Sequence, residues 1–366
     1  MDILKRFVMF SMKIRKNDFP KGRFILQIRY EYVDAVKGLA ILCITLLHFE
    51  NGIFPGWLNT WISFFMITAF YFISGWISGI KDTTISPSAL FFKRLSQLGI
   101  PYLWFSLLIL LFDLLLFIFG QMEIKIVLRD IYKTFTLRGI GTLWFLPVLL
   151  FSEWLFCLIR NNPRRYWAIV IASGTTLIAD YLYTRFIVPM VRQGDIYLLA
   201  EAPLRPIIYS LNAWPVIGLG FLCGHYLKII SGNRLFFGCM GILTIAWSLW
   251  LVIQPPFCIY YVNGLLCKSL PAFGFLCIFL IQPTNPAMSF FSYWGRNSLV
   301  LMCTHFSITQ VVLQLIDRKI FHHNDFSGIS TLLYFAVAIL LTYPMVCFFN
   351  HKASFMLGKK ITIRKK

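Results

Sequence analysis

The chain has 366 residues, 58% hydrophobic and only 13% charged, with 37 Phe and a mean hydropathy of +0.72. Those values exclude an ordinary soluble domain and a disordered chain, and they describe an all-α polytopic membrane protein. The net charge of +19 does not argue for nucleic acid as a partner. The basic residues fall in short loops and tails between apolar runs, where they report topology and attraction to anionic membrane lipids.

Residues 1–32 form a basic segment with eight Lys and Arg up to Arg29. Its longest apolar patch, Phe7 to Met12, is too short for a signal-peptide core, so the segment reads as a cytosolic tail. Within residues 33–350, about ten runs approach the length of about 20 residues needed to cross a bilayer. They lie near 33–49, 57–80, 99–119, 141–159, 166–187, 207–228, 235–253, 258–281, 296–316 and 329–350. Asp180 interrupts the fifth, and Lys268 and Pro271 interrupt the eighth. Residues 351–366 make a second basic tail.

Cytosolic segments of membrane proteins carry an excess of Lys and Arg. With the N-terminus inside, the inner side collects eight in the N-terminal segment, nine in the loops and six in the C-terminal tail. The outer side collects nine, and Lys37 and Lys268 fall within spans. Both termini are therefore expected in the cytosol. The stretch from Gln121 to Ile140 runs against this bias, with Lys125, Arg129, Lys133 and Arg138 on the expected outer side. It reads as an amphipathic interfacial helix, with contact to an anionic acceptor as the alternative.

Nine cysteines are scattered singly, without a C-x-x-C pair or a Cys/His cluster at zinc spacing. Neither a disulfide framework nor a metal site is expected. No internal repeat, low-complexity tract or glycine-rich phosphate loop is present. The spacings Gly75 to Gly79 and Gly220 to Gly224 suit close helix packing. Trp57, Trp61, Trp144 and Trp214 read as interfacial anchors, the alternative being stacking on sugar rings.

The chemistry must then sit within the spans, where ionisable side chains are costly and mark function or pairing. The first span carries Lys37 near its cytosolic end and His48 near its outer end. Eleven residues bring the two back to nearly one face, about 16 Å apart along the axis. A neutral imidazole can take the proton of a hydroxyl that attacks a carbonyl. A histidine bridging two helices is the structural alternative for His48, and a lysine reaching the headgroups is that for Lys37. Asp113, Glu153, Asp180, His225, Lys268 and His305 also lie at depth. Glu153, eleven residues into the span that opens Gly141-Thr-Leu-Trp-Phe-Leu-Pro147, is the first candidate for a carboxylate that orients an imidazole. His305 is a candidate lining residue, and His322 and His323 fall in an outer loop.

Several of these residues carry a resemblance. Asp34-x-x-Lys37-Gly38-x-Ala40 followed by His48 resembles the N-terminal signature of the acyltransferase-3 family of integral-membrane O-acyltransferases, and its Lys-Gly form is similar to the fucose 4-O-acetylase-like branch. Phe72-Ile-Ser74-Gly75 resembles the family's Ser-Gly motif, and Lys93-Arg94 leading to Pro101-Tyr102 its basic segment before Pro-Tyr. Leu143-Trp-Phe-Leu146 resembles its Leu-Trp-Phe-Leu motif, and Gly295-Arg-Asn297-Ser298 with His305 its C-terminal pattern. A second basic residue that family members carry three positions after the first is Gln97 here, which leaves Lys93 as the point charge beside Arg94.

The resemblance implies ten spanning helices in a bacterial cytoplasmic (inner) membrane. It implies acyl-CoA, commonly acetyl-CoA, as cytosolic donor and no metal. The acceptor it implies is a hydroxyl of a cell-surface glycan or its lipid-linked precursor. Under that reading His48 is the general base, and Glu153 stays the catalytic candidate for its partner, with another buried polar group as the alternative. Lys37, Lys93 and Arg94 meet the donor's phosphates, and Ser74, Asn297 and His305 line the acceptor or the developing oxyanion. A transporter or flippase of lipid-linked sugars is the competing class, weakened by the lack of inverted halves with broken helices. A glycan-assembly scaffold is a third.

Overall fold

The structure, a computed structural model, describes residues 30–50, 52–81, 85–162, 164–191, 195–227, 234–253, 260–282, 285–321 and 330–359. The basic segment up to Arg29, His322, His323 and the tail beyond Lys359 lie outside them. Among the described residues there is no strand. The chain runs through α1 Glu31–Phe49, α2 Gly56–Lys81, α3 Pro87–Ile118, α4 Ile124–Phe135, α5 Gly141–Arg160 and α6 Arg165–Leu182. It continues with α7 Asp195–Leu227, α8 Arg234–Ile253, α9 Tyr260–Ile281, α10 Pro286–Arg296, α11 Ser298–Ile320 and α12 Ser330–His351. With no water at bilayer depth, closing every backbone hydrogen bond within a helix is what permits such spans.

Eight of the described helices are long and apolar enough to cross a membrane: α1, α2, α3, α5, α7, α8, α11 and α12. That is fewer than the ten runs counted from the sequence. The fifth and eighth runs form α6 and α9 but fall short, and of α9 only Lys268–Ile281 is a shorter apolar helix.

Local chemistry sets several boundaries. Ser86 caps α3 by accepting a hydrogen bond from the Ala89 amide at 3.3 Å, with Pro87 in the first turn. Asn285 does the same for α10, taking the Met288 amide at 2.7 Å ahead of Pro286. Within α3, a π turn at Leu95–Gly99 precedes Pro101 and widens the helix where proline cannot donate to the preceding turn. The stretch between α3 and α5 forms the short helix α4, amphipathic as the sequence led us to expect. Ile124, Leu128 and Phe135 are exposed on it, while Val127 and Asp130 are buried.

Two helix crossings hold the bundle, and both depend on glycine. A Cβ on Gly75 would lie 2.0 Å from the Ile217 carbonyl oxygen, and one on Gly79 would lie 2.2 Å from that of Phe221. Reciprocally, Cβ atoms on Gly220 and Gly224 would lie 2.1 and 2.3 Å from the carbonyl oxygens of Phe72 and Trp76. The two small-residue spacings are thus halves of one interface, α2 against α7. In the second crossing, a Cβ on Gly38 of α1 would lie 1.8 Å from the Phe291 carbonyl oxygen, and one on Gly295 of α10 would lie 1.7 Å from that of Asp34. Arg296 then lies 3.6 Å from Asp34 and 3.9 Å from Glu31 across the same crossing.

A methyl group at Gly75 would force backbone apart, whereas Gly174 on α6 has open space around its would-be Cβ. Gly75→Ala is expected to lower stability by about 1–3 kcal/mol, the usual cost of overpacking, and Gly174→Ala to leave it unchanged or slightly raised. Thermal melts of the two detergent-solubilised variants test this directly.

Candidate active site

The polar side chains gather at two ends of the bundle. One end carries His48 at the close of α1. The other carries Lys81, Lys93, Arg94 and Arg160, and we call it the basic end.

At the histidine end, His48 Nδ1 lies 2.7 Å from the carbonyl oxygen of Ile44, one turn earlier in α1. A carbonyl only accepts, so geometry assigns the ring proton to Nδ1 and leaves Nε2 with its lone pair. The His305 ring stands 5.0 Å from that of His48, centre to centre, at an interplanar angle of 69°, and the Phe306 ring stands 4.8 Å away. His305 is wholly buried and repeats the pattern of His48, its Nδ1 donating to the Leu301 carbonyl at 2.7 Å.

His305 opens a π turn, His305–Gln310, inside α11. The wider turn carries Gln310 round to α1, where its amide donates to the His48 carbonyl at 2.7 Å. Thr142, at the start of α5, donates to the Met302 carbonyl at 2.6 Å. A Cβ on Gly141 would lie 2.4 Å from Ser307 Oγ and 2.8 Å from the Phe306 ring.

The turn leading to Gly141 passes through positive φ at Leu137 (59°), Gly139 (76°) and Gly141 (52°). For leucine that conformation is strained, and the surrounding contacts must hold it. Arg138 supplies one, reaching Glu201 of α7 at 2.6 Å, where Tyr183 also donates at 2.7 Å and Arg205 stands 3.7 Å away. On the adjoining α4, burial pulls the Lys133 ammonium below its usual pKa, while the hydrogen bond to Asp130 at 2.6 Å pushes it back up.

At the basic end, Glu153 of α5 accepts hydrogen bonds from Ser74 of α2 and from Arg94 of α3, whose guanidinium also pairs with its second oxygen. Arg160 donates to Ser78. A cavity of about 120 Å³ opens here, lined among others by Lys81, Lys93, Arg94 and Arg160 around one carboxylate. Its lining thus carries four cations against the one carboxylate of Glu153, with the hydroxyls of Ser74 and Ser78 beside them.

The site residues inferred from the sequence therefore divide. His48 and His305 meet. Ser74, Glu153, Arg94 and Lys93 meet elsewhere, around the cavity at the basic end. Glu153, expected as the partner of His48, is bound instead by Arg94 and Ser74, because a buried carboxylate is stable only beside a cation and donors. Ser74 is thereby occupied and does not face His48. Asn297 is also remote. It stands eight residues before His305, about 12 Å down the helix, and links Tyr293 and Asn350, the latter in turn holding Lys359. Lys37 lies half-buried on α1.

Gln310, Thr142, Ser78 and Arg160 were not singled out from the sequence. Arg160 carried a signal as a cation at a span's end, but nothing in the local sequence announces the π turn that delivers Gln310.

Removing Arg94 would leave Glu153 buried without its cation. Arg94→Ala is expected to cost on the order of 2 kcal/mol, less than a fully buried pair because the Arg94 side chain is 31% exposed. Adding Glu153→Gln is expected to restore most of that loss, a non-additivity measurable in a double-mutant cycle of thermal melts.

No curated protein and no solved structure matches the chain. A family comparison does find a match, to the acyltransferase domain of the acyltransferase-3 family over residues 30–351. That span takes in every helix described above, and the chain belongs to the acyltransferase-3 family of membrane acyltransferases.

Proposed function

We propose that the protein is a membrane O-acyltransferase. It moves an acyl group, acetyl in the first instance, from cytosolic acyl-CoA to a hydroxyl of a cell-surface glycan or its lipid-linked precursor. The observation that carries this reading is the state of His48. Its Nδ1–H is spent on the Ile44 carbonyl, so the ring is a base with one available lone pair at the end of a membrane helix.

In the reaction, Nε2 of His48 takes the proton of the acceptor hydroxyl as that oxygen bonds to the thioester carbon. The C–S bond then breaks, and the proton passes to the coenzyme A sulfur. Products are an ester and free thiol. The basic end fits the other half of the donor. Lys81, Lys93, Arg94 and Arg160 surround a cavity suited to coenzyme A phosphates, and Gln97, hydrogen-bonded to Arg94 at 2.9 Å, holds that guanidinium at its rim. Lys37, about 16 Å from His48 along α1, adds a cation on the way from one end to the other.

The same reading orients the bundle. The basic end faces the cytosol together with both termini, in keeping with the excess of basic residues there, and α6 and α9 complete ten crossings. The membrane is the bacterial cytoplasmic membrane, and the Lys37-Gly38 form of the first motif supports the fucose 4-O-acetylase-like branch.

Membranes containing the protein, incubated with radiolabelled acetyl-CoA, are expected to release free thiol and to label a surface glycan or its lipid-linked precursor. His48→Ala should lower that rate at least about 100-fold at equal membrane abundance, the range expected for loss of a general base. An untouched thioester, or full activity in His48→Ala, would overturn the proposal. Lys37→Glu is expected to raise the KM for acetyl-CoA about tenfold while changing kcat little, which donor titrations on the same membranes would measure.

A further inference from the structure

His305 is the one buried imidazole brought against the proposed base, and its environment is unusual. Its Nε2 is fully buried and has no hydrogen-bond partner among the described residues, whereas buried acceptors are ordinarily paired. The nearest aromatic neighbour with a titratable nitrogen is His48, 5.0 Å away ring to ring. In both rings Nδ1 is held by the carbonyl four residues earlier, so both Nε2 atoms carry lone pairs and neither can donate to the other. Two lone pairs repel, and no bond forms between the rings in this state.

The situation changes as soon as one ring gains a proton. A bond Nε2–H···Nε2 of about 2.9 Å, added to a ring radius of about 1.1 Å on each side, places the centres about 5 Å apart. The observed centre-to-centre separation of 5.0 Å is compatible with such a bond. The backbones are also fixed relative to each other, since Gln310 of the π turn donates to the His48 carbonyl itself and Thr142 holds the Met302 carbonyl just before it.

We propose that His305 is the positioning partner of His48, an imidazole kept in the acceptor tautomer so that it receives a hydrogen bond from the His48 imidazolium formed during acyl transfer. The inference rests on His48 acting as general base and adds the identity of its partner, a role that Glu153 does not fill. The proton balance is that of the reaction already written. The hydroxyl proton moves to His48 Nε2, and the new N–H is shared in a three-centre hydrogen bond between the acceptor oxygen and His305 Nε2 while the tetrahedral intermediate exists, then leaves on the coenzyme A sulfur as the C–S bond breaks. His305 gains no proton over the cycle. A charged hydrogen bond in a dry site is stronger than one between neutral groups, so its formation favours the charged intermediate over the resting state.

The test compares His305→Phe with His305→Gln, using initial rates of label transfer from radiolabelled acetyl-CoA to the endogenous acceptor in membranes. Abundance is normalised by the monodisperse peak after detergent extraction. Phe keeps the ring but has no acceptor, and Gln offers a side-chain carbonyl where the lone pair stood. His305→Phe is expected to lower the rate at saturating donor 10- to 100-fold with the KM for acetyl-CoA unchanged within twofold, and His305→Gln to recover at least a third of the wild-type rate. Full activity in His305→Phe overturns the inference. So does equal loss in both variants at normal abundance, or a loss that appears in the donor KM. If His305→Phe is poorly extracted, His305→Gln decides alone: a rate near that of His48→Ala overturns the inference. A wild-type protein that transfers no label removes the acyltransfer reading itself, an outcome distinct from any of these.

Discussion

Direct contact between helix backbones at glycine is the constraint on which the rest of this structure depends. Lipid provides no hydrophobic force between helices, so their association has to come from close packing and from hydrogen bonds. Gly75, Gly79, Gly220 and Gly224 bring α2 and α7 together so closely that each glycine faces a carbonyl of the other helix. Gly38 and Gly295 do the same for α1 and α10. These crossings position His48 through α1 and Ser74 through α2. Motif glycines that flank Lys37 and Asn297 are thus parts of the frame.

Within that frame, buried polar side chains pair with whatever lies at their own level. Glu153, Ser74 and Arg94 come from three helices and meet because α2, α3 and α5 bring them to one depth. His48 and His305 satisfy their Nδ1 protons on their own helices, which leaves both Nε2 atoms out of the framework. A base with an unengaged lone pair and a cavity rich in cations therefore occupy opposite ends of the bundle. The function proposed above uses that separation, with the anionic part of the donor at one end and the acceptor hydroxyl at the other.

The π turns are placed where this arrangement needs them. Leu95–Gly99 separates Arg94 from Pro101 and lets α3 continue past a residue that cannot donate. His305–Gln310 turns a glutamine onto the carbonyl of His48. At the end of the described chain, Gly358 adopts a φ of +65° and closes against the Ser96 carbonyl, so the C-terminal segment packs on the first of these turns.

Much of this was legible in the residues alone. Apolar runs of the right length revealed a helical membrane protein, because the bilayer imposes a length and tolerates few charges. The paired small-residue spacings revealed packing surfaces, and an ordered set of short motifs revealed the family. Lys37 and His48 stood out because both are costly in a span. Run length alone does not fix the number of crossings: ten runs can be counted in the sequence, and eight of the described helices are long and apolar enough to cross. What no local pattern contains is which polar residues meet. Glu153 belongs with Arg94 rather than His48, Asn297 with Asn350, and His305 with His48. Depth along each helix can be counted from the chain, but the partner at that depth is set by which helix lies alongside, and only tertiary packing decides that.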